Sequence, residues 1–284
     1  MDIVRFSDAR IDELINEDLP YIDLTTLVCG IGSDPGRMEY FTRQDCVLVG
    51  SEEVVRVAEK LGGKVTSFTP SGTSISAGDT FCTVEGDASS LHGIWKVCLN
   101  IFDHLSAIAT KTRGMVDAVH AINSQCEIFT TRKSMPGAKD LTLKAILCGG
   151  AFPHRLGLSE TVLVFSHHRA FFGGFDGFVA ALPEIRPKCI EKKLYVEASP
   201  DEARVLANTG LVDGVQLDKA TPETLTALVK ELREINPCLT IVAAGGINPN
   251  NATDYANTGV NGLVTTALFT APPIDMSVRM TPLK

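Results

Sequence analysis

LYVEA (194–198), SPDEARVLANTG (199–210), DGVQL (213–217), TPETLTALVKEL (221–232) and LTIVAAGG (239–246) are the stretches that decide the fold. They read strand, helix, strand, helix, strand. Each strand is a nearly unbroken apolar run, the pattern of a parallel strand covered on both faces. Ser199-Pro200 and Thr221-Pro222 each place an N-cap residue before a proline at the first helical position, where the missing N–H costs nothing. Leu225, Leu228, Val229 and Leu232 fall on one helix face. Gly210 and Gly259 sit where helices are expected to end.

The same alternation extends outward from this block. Further apolar runs occupy Glu127–Thr131, Thr161–Phe165 and Asn261–Thr266. Six parallel strands with helices between them predict an α/β fold. A closed barrel of this kind needs eight strands, so six predict a smaller, incomplete or distorted barrel. Functional groups are then expected at the carboxyl ends of the strands. The first third is mixed. A helix is expected over Asp8–Glu17, and a second is capped by Ser51 and ended by Gly62-Gly63. Short β-like stretches follow over Lys64–Glu85. From Ser90 to Ile122 runs a long helical stretch, with a bend or break expected near Gly114. The boundary between the two regions is placed at 110/111, so that residues 1–110 and 111–284 form the two domains. The C-terminal strand or tail is free to return to the first.

With 284 residues, 44% hydrophobic and 21% charged, the chain can bury a sizeable core. Its net charge of −8 gives no basic footprint for nucleic acid, and no apolar run is long enough to span a bilayer. The first residues carry no secretory signal pattern. The eight cysteines form no CxxC pair, and most lie in apolar stretches. They read as reduced thiols in a reducing compartment, which implies the cytoplasm.

At the carboxyl ends of the six runs stand Thr130-Thr131-Arg132-Lys133, Ser166-His167-His168, Glu197, Asp218-Lys219, Gly245-Gly246 and Thr265-Thr266. Guanidinium and ammonium groups hold phosphate or carboxylate oxygens. Carboxylates hold Mg²⁺ or ribose hydroxyls. Adjacent glycines let backbone N–H groups approach a phosphate. Each of these has a plain structural use as well: a solvated Arg-Lys pair, a capping aspartate, a turn, a core histidine. Their convergence on one mouth is what favours a site for a phosphorylated substrate.

TRKSMPG (131–137) and GGAFPHRLGLS (149–159) resemble the TRKTTPG and GGGxxHRxGLSD motifs of the quinolinate phosphoribosyltransferase family. Leu99-Asn100 and Leu105–Thr110 are similar to its LN…LSGIAT helix. WKV (95–97), PHRLGLSE (153–160) and AAGGIN (243–248) look like the ModD branch of that family, which is associated with molybdate-transport operons. The resemblance implies an N-terminal α/β sandwich, a six-stranded open α/β barrel of the type II phosphoribosyltransferase class, and a homodimer or higher oligomer with sites between subunits. It implies transfer from phosphoribosyl pyrophosphate, with Mg²⁺ and no tightly bound cofactor, to a small anionic or heteroaromatic acceptor. Lys133, Glu197 and Asp218 would be catalytic. Arg132, Lys133, His154 and Arg155 would face the acceptor's carboxylates. Glu197 and Asp218 would face the ribose and its Mg²⁺, and Gly245-Gly246 the 5′-phosphate. Lys96 would reach a partner's site. Phe165, His168 and Thr266 complete the substrate-binding set.

The departures concentrate on the acceptor side. The family's LIKDNH is Leu163-Val164-Phe165-Ser166-His167-His168 here, so an apolar ring replaces an ammonium. Its ASGG is Ala244-Gly245-Gly246, and its VGA is Thr265-Thr266-Ala267. A lost charge-assisted contact costs about 1.5–3 kcal/mol. Three readings stand: an enzyme with an altered acceptor, a genuine carboxylating quinolinate enzyme of NAD biosynthesis, and a non-catalytic oxyanion-binding or regulatory protein. The two retained carboxylates speak against the last.

Overall fold

The computed structural model describes residues 4–284, which cluster into two compact units. The first takes the described residues up to Arg113 with 135–150 and 269–284, the second residues 114–134 and 151–268. The division near residue 110 therefore falls at Arg113/Gly114, and two later segments join the first unit.

In chain order the first unit opens with α1 (Asp8–Asn16), α2 (Leu24–Cys29), β1 (Pro35–Thr42), β2 (Cys46–Val47), α3 (Ser51–Lys60), β3 (Lys64–Phe68), β4 (Ser74–Ile75), β5 (Thr80–Asp87) and α4 (Ala88–Ile122), whose last turns belong to the second unit. Ser7 caps α1, its hydroxyl accepting from Arg10 N–H at 3.1 Å. Gly50, not Ser51, is the N-cap of α3; Ser51 is its first residue. α4 runs unbroken through Gly114, where no break occurs. A glycine costs a helix about 1 kcal/mol relative to alanine, too little to end one 35 residues long.

The chain then continues through β6 (Glu127–Thr130), α5 (Lys139–Gly149), β7 (Phe152–Pro153), β8 (Val162–Val164), α6 (Ser166–Arg169), α7 (Phe175–Ile185), β9 (Leu194–Ala198), α8 (Pro200–Thr209), β10 (Gly214–Asp218), α9 (Pro222–Ile235), β11 (Thr240–Ala244), α10 (Ala252–Ala256), β12 (Gly262–Thr265) and β13 (Met276–Pro282). In the first unit β13 comes back to the N-terminal strands, giving a four-stranded sheet in the order β13-β1-β5-β3 with antiparallel neighbours. Met38 and Tyr40 face inward at alternate positions of β1. Tyr40 meets Phe102 of α4 at 5.4 Å between ring centroids, and Phe81 meets Phe102 at 4.8 Å. Aromatic edges packed this way add about 0.5–1.5 kcal/mol each beyond their burial.

The second unit is built on a seven-stranded sheet in the order β7-β6-β12-β11-β10-β9-β8, parallel throughout. Six are the strands read from the sequence. The seventh, β7, has two residues and is made by pairing with β6. Side chains alternate between the two faces of a strand. Leu194, Val196 and Ala198 of β9 are buried on the outer, helix-covered face, and Tyr195 and Glu197 point into the open barrel. Inside, Val242, Ala244 and Val264 form a buried cluster packed by Phe129 and Tyr195. Gly214 and Gly262 make room for those rings: a Cβ at either would stand 2.5 Å from Tyr195 or 2.6 Å from Phe129. Ser199 and Thr221 cap α8 and α9, and Gly210 ends α8 at φ +64°.

The first unit also contains a buried charge cluster. Lys144 of α5 is fully buried, and its ammonium donates to Glu52 at 2.7 Å and to both oxygens of Glu53 at 2.8 and 2.6 Å. Removing one member of a buried pair strands the other charge, at about 3–5 kcal/mol. Lys144→Met should therefore lower the free energy of unfolding by several kcal/mol in urea titrations followed by circular dichroism; a loss below about 1 kcal/mol would contradict this reading.

Candidate active site

The carboxyl ends of the seven strands surround a cavity of about 490 Å³, lined wholly by residues of the second unit. Its floor comes from lower positions of the inward faces. His154, just after β7, lies on this floor with its ring edge-on to Phe129 at 6.0 Å and to Tyr195 at 6.2 Å. Burial, and secondarily the charge of Arg155, push its imidazole pKa below 6.5. The ring is thus neutral in neutral solution.

One wall is basic. Arg132 and Lys133 follow β6, and Arg155 follows His154. Neither Arg132 nor Lys133 is ion-paired with a carboxylate among the described residues. The Lys133 N–H donates to Thr131 Oγ1 at 3.2 Å, and that hydroxyl lies 3.0 Å from Thr266 Oγ1. Burial and the charge of Arg132 lower the pKa of Arg155, with Glu160 acting against them. Two guanidinium groups therefore line one cavity, near enough to feel each other's charge.

The opposite wall is acidic. Glu197 ends the inward face of β9, and Asp218 ends β10. Burial, and then the Asp218 carboxylate, push Glu197 above the usual glutamate range. Gln216 works the other way, its amide donating to Glu197 Oε2 at 3.0 Å. Gln216 pairs in register with Glu197 and is 6% exposed. It was not singled out in the sequence, because it sits within an apolar run. Its distance of two residues from Asp218 on one strand was the available signal, since both must then face the same side.

Between the walls the chain turns at Gly245-Gly246, both at positive φ, +88° and +77°. Glycine is required at the first of these. A Cβ on Gly245 would lie 2.6 Å from Asp218 Oδ1 and 2.7 Å from the Lys219 nitrogen. Lys219 itself is left-handed, φ +57°, and its N–H donates to Ala244 O at 2.8 Å. The N–H groups of Gly246 and Ile247 take no acceptor among the described residues. Open backbone donors beside a diglycine suit a phosphate. Thr265 Oγ1 is committed to structure, donating to Ile247 O at 2.6 Å.

Of the residues to which the resemblance gives a catalytic or substrate-binding role, Arg132, Lys133, His154, Arg155, Phe165, Glu197, Asp218, Gly245, Gly246 and Thr266 all line this cavity. Two do not. His168 is carried away because the chain turns into α6 at Ser166, and its Nδ1 accepts the Phe165 N–H at 3.0 Å. Lys96 is exposed on α4, in the first unit. Leu163, Gln216, Ile247 and Asn248 are added to the lining. No group of three or more His, Cys, Asp or Glu is placed to hold a metal ion among the described residues. No helix among them is long and apolar enough to cross a membrane.

Residues 108–279 match the family model of the quinolinate phosphoribosyl transferase C-terminal domain, and residues 23–106 that of its N-terminal domain. The ModD protein of Rhodobacter capsulatus is 36% identical over 255 residues, 89% of this chain and 96% of the relative. Human nicotinate-nucleotide pyrophosphorylase (carboxylating) is 28% identical over 276 residues, 96% of this chain and 91% of the relative. In fold, NadC from Streptococcus pyogenes superposes with a TM-score of 0.86 at 23% identity, over 98% of this chain and 97% of that one.

The lowered pKa of His154 has a sign. Between its folded value and 6.5 the unfolded chain binds a proton that the folded chain does not. Stability should therefore fall as pH drops through this window. Histidine NMR titration should give His154 a midpoint below 6.5. His154→Gln should flatten the stability-versus-pH curve there; an unchanged curve would contradict the assignment.

Proposed function

The chain belongs to the quinolinate phosphoribosyltransferase family, and on that premise we propose that this pentosyltransferase moves the phosphoribosyl group of phosphoribosyl pyrophosphate to a small anionic or heteroaromatic acceptor other than quinolinate. The observation that carries the reading is the segregation of one cavity into a basic wall, an acidic wall and a diglycine turn with open N–H groups. A donor with phosphate at both ends of a ribose and an anionic acceptor together need all three.

In this reading the Gly246 and Ile247 N–H groups receive the 5′-phosphate. Glu197 and Asp218 hold the ribose hydroxyls and stabilise the positive charge that develops at C1 as its bond to pyrophosphate lengthens. Gln216 holds the Glu197 carboxylate in place. Lys133, set toward the acceptor by the resemblance, is assigned here to the leaving pyrophosphate, because that group needs a cation as its charge grows, and Arg132 and Arg155 orient the acceptor. Catalysis is then positional and electrostatic, and no covalent intermediate is required. The two carboxylates also fit Mg²⁺, since the charge of Asp218 is among the causes that raise Glu197 and a cation would relieve it. When bound with the donor, Mg²⁺ offsets charge on the departing pyrophosphate.

Retention of Arg132, Lys133, His154 and Arg155 favours the second reading, a carboxylating quinolinate enzyme. An assay of pyrophosphate release against a panel of aromatic acids separates the two, with brisk formation of nicotinate mononucleotide supporting the second. The link to molybdenum metabolism rests on the likeness to ModD alone, and added molybdate in the same assay tests it. Cytoplasmic action is part of the proposal, in keeping with eight unpaired thiols.

Two outcomes check the proposal. Glu197→Ala and Asp218→Ala should each weaken Mg²⁺-dependent binding of phosphoribosyl pyrophosphate about ten- to hundredfold, the loss of a charge-assisted contact. Calorimetry reads this directly, and unchanged binding in both variants would displace the donor from this wall. The chain should also form a dimer in which Lys96 completes the partner's site. Light scattering should give about twice 30.5 kDa, and Lys96→Ala should cut activity without changing that mass. A fully active monomer would refute the shared site.

A further inference from the structure

Resting on this phosphoribosyl-transfer reading, we propose that the acceptor is a flat heteroaromatic ring with a single acid group, held by that group between Arg132 and Arg155 with an apolar edge on Phe165, and ribosylated without loss of carbon dioxide.

The cations of the cavity are few. Arg132, Lys133 and Arg155 are the lysines and arginines in its lining. The donor carries phosphate at both ends, and in this reading its pyrophosphate takes Lys133 together with the Lys96 that a partner subunit contributes. That leaves two guanidinium groups of the lining for the acceptor, Arg132 and Arg155. Both line the same cavity, and burial first and Arg132 second disfavour the charged form of Arg155. One carboxylate between them satisfies both, and a bidentate geometry suits each guanidinium. His154 adds no charge, because burial and Arg155 keep its imidazole neutral.

Phe165 sets what lies beside that pair. Its ring centroid is 5.9 Å from Arg155 Cζ. It is held from behind by the His168 ring, stacked at 5.9 Å and 25°, whose Nδ1 takes the Phe165 N–H at 3.0 Å. A ring whose acid group meets Arg155 therefore lays its neighbouring edge against Phe165 and the buried Leu163. A second carboxylate on that edge would lose its water and find no donor. The floor of edge-on aromatic rings under His154 suits a flat molecule.

The step balances without a second acid group. The lone pair of an unprotonated ring nitrogen on the acceptor forms the bond to ribose C1 as the C1–O bond breaks, and pyrophosphate leaves with the electrons of that C1–O bond. Where the ring has a second nitrogen bearing a proton, that proton passes to water. No carbon–carbon bond breaks, so no carbon dioxide forms.

The test uses the full-length protein with Mg²⁺ and phosphoribosyl pyrophosphate. Nicotinate, imidazole-4-carboxylate, pyrazine-2-carboxylate and quinolinate serve as probes, and pyrophosphate and carbon dioxide are both measured. At least one single-acid ring should show kcat/KM at least tenfold above that of quinolinate, with no carbon dioxide. Phe165→Lys should shift the ratio tenfold or more toward quinolinate. Phe165→Gln, a neutral donor, should shift it the same way if lysine disturbs the thermal midpoint. Preference for quinolinate in the unmodified protein, carbon dioxide from the favoured acceptor, or a ratio that neither variant moves would overturn the proposal. Acceptor affinities are measured in parallel by calorimetry. Failure to bind phosphoribosyl pyrophosphate would sink the transfer reading, and the affinity ratio would still decide the acceptor class.

Discussion

Strict alternation of side chains across a curled parallel sheet is the constraint on which the rest depends. Each strand of the second unit spends its outward residues on the helices and its inward residues on the cavity. Of the inward residues, Phe129, Tyr195, Val242 and Val264 pack against one another inside the sheet. Glu197, Asp218, Thr131 and Phe165 line the cavity. Parallel register sets the neighbours: Gln216 stands beside Glu197 and Val242, and Asp218 beside Ala244. A slip of one residue in any strand would exchange rim for outer core.

The rim collects like charges on like. Arg132 disfavours the charge on Arg155, and Asp218 that on Glu197. Neither opposition serves folding. Both come second to burial, and ligand groups of opposite sign would relieve both. Such arrangements are the ordinary mark of a binding site set in advance for its ligands. The first unit shows the contrasting solution at Lys144, where a buried cation meets two carboxylates of its own chain.

Much of this was legible in the sequence for local reasons. Ser199 and Thr221 announce helices because their caps are local chemistry. Glu197 and Asp218 stood out because a carboxylate ends an apolar run at each. Where position depends on distant partners, legibility ends. β7 exists through its pairing with β6, which two residues cannot signal. Residues 135–150 belong to the first unit through contacts far along the chain, although they follow a strand of the second. Gln216 was hidden by apolar neighbours, and His168 was read as a strand end although the chain has already turned into a helix at Ser166.

The two glycines beneath the floor, Gly214 and Gly262, carry a consequence for how such a protein changes its preferences. Each is filled by a neighbouring aromatic ring, and those rings touch His154 edge-on. A methyl group added at either would lift a ring, and the ring would lift the imidazole. The depth of the cavity is therefore adjustable from positions that no ligand touches. Rim residues choose by charge and the hidden glycines by height, so descent with modification has two independent handles on one pocket, and the lower one leaves the reacting groups in place.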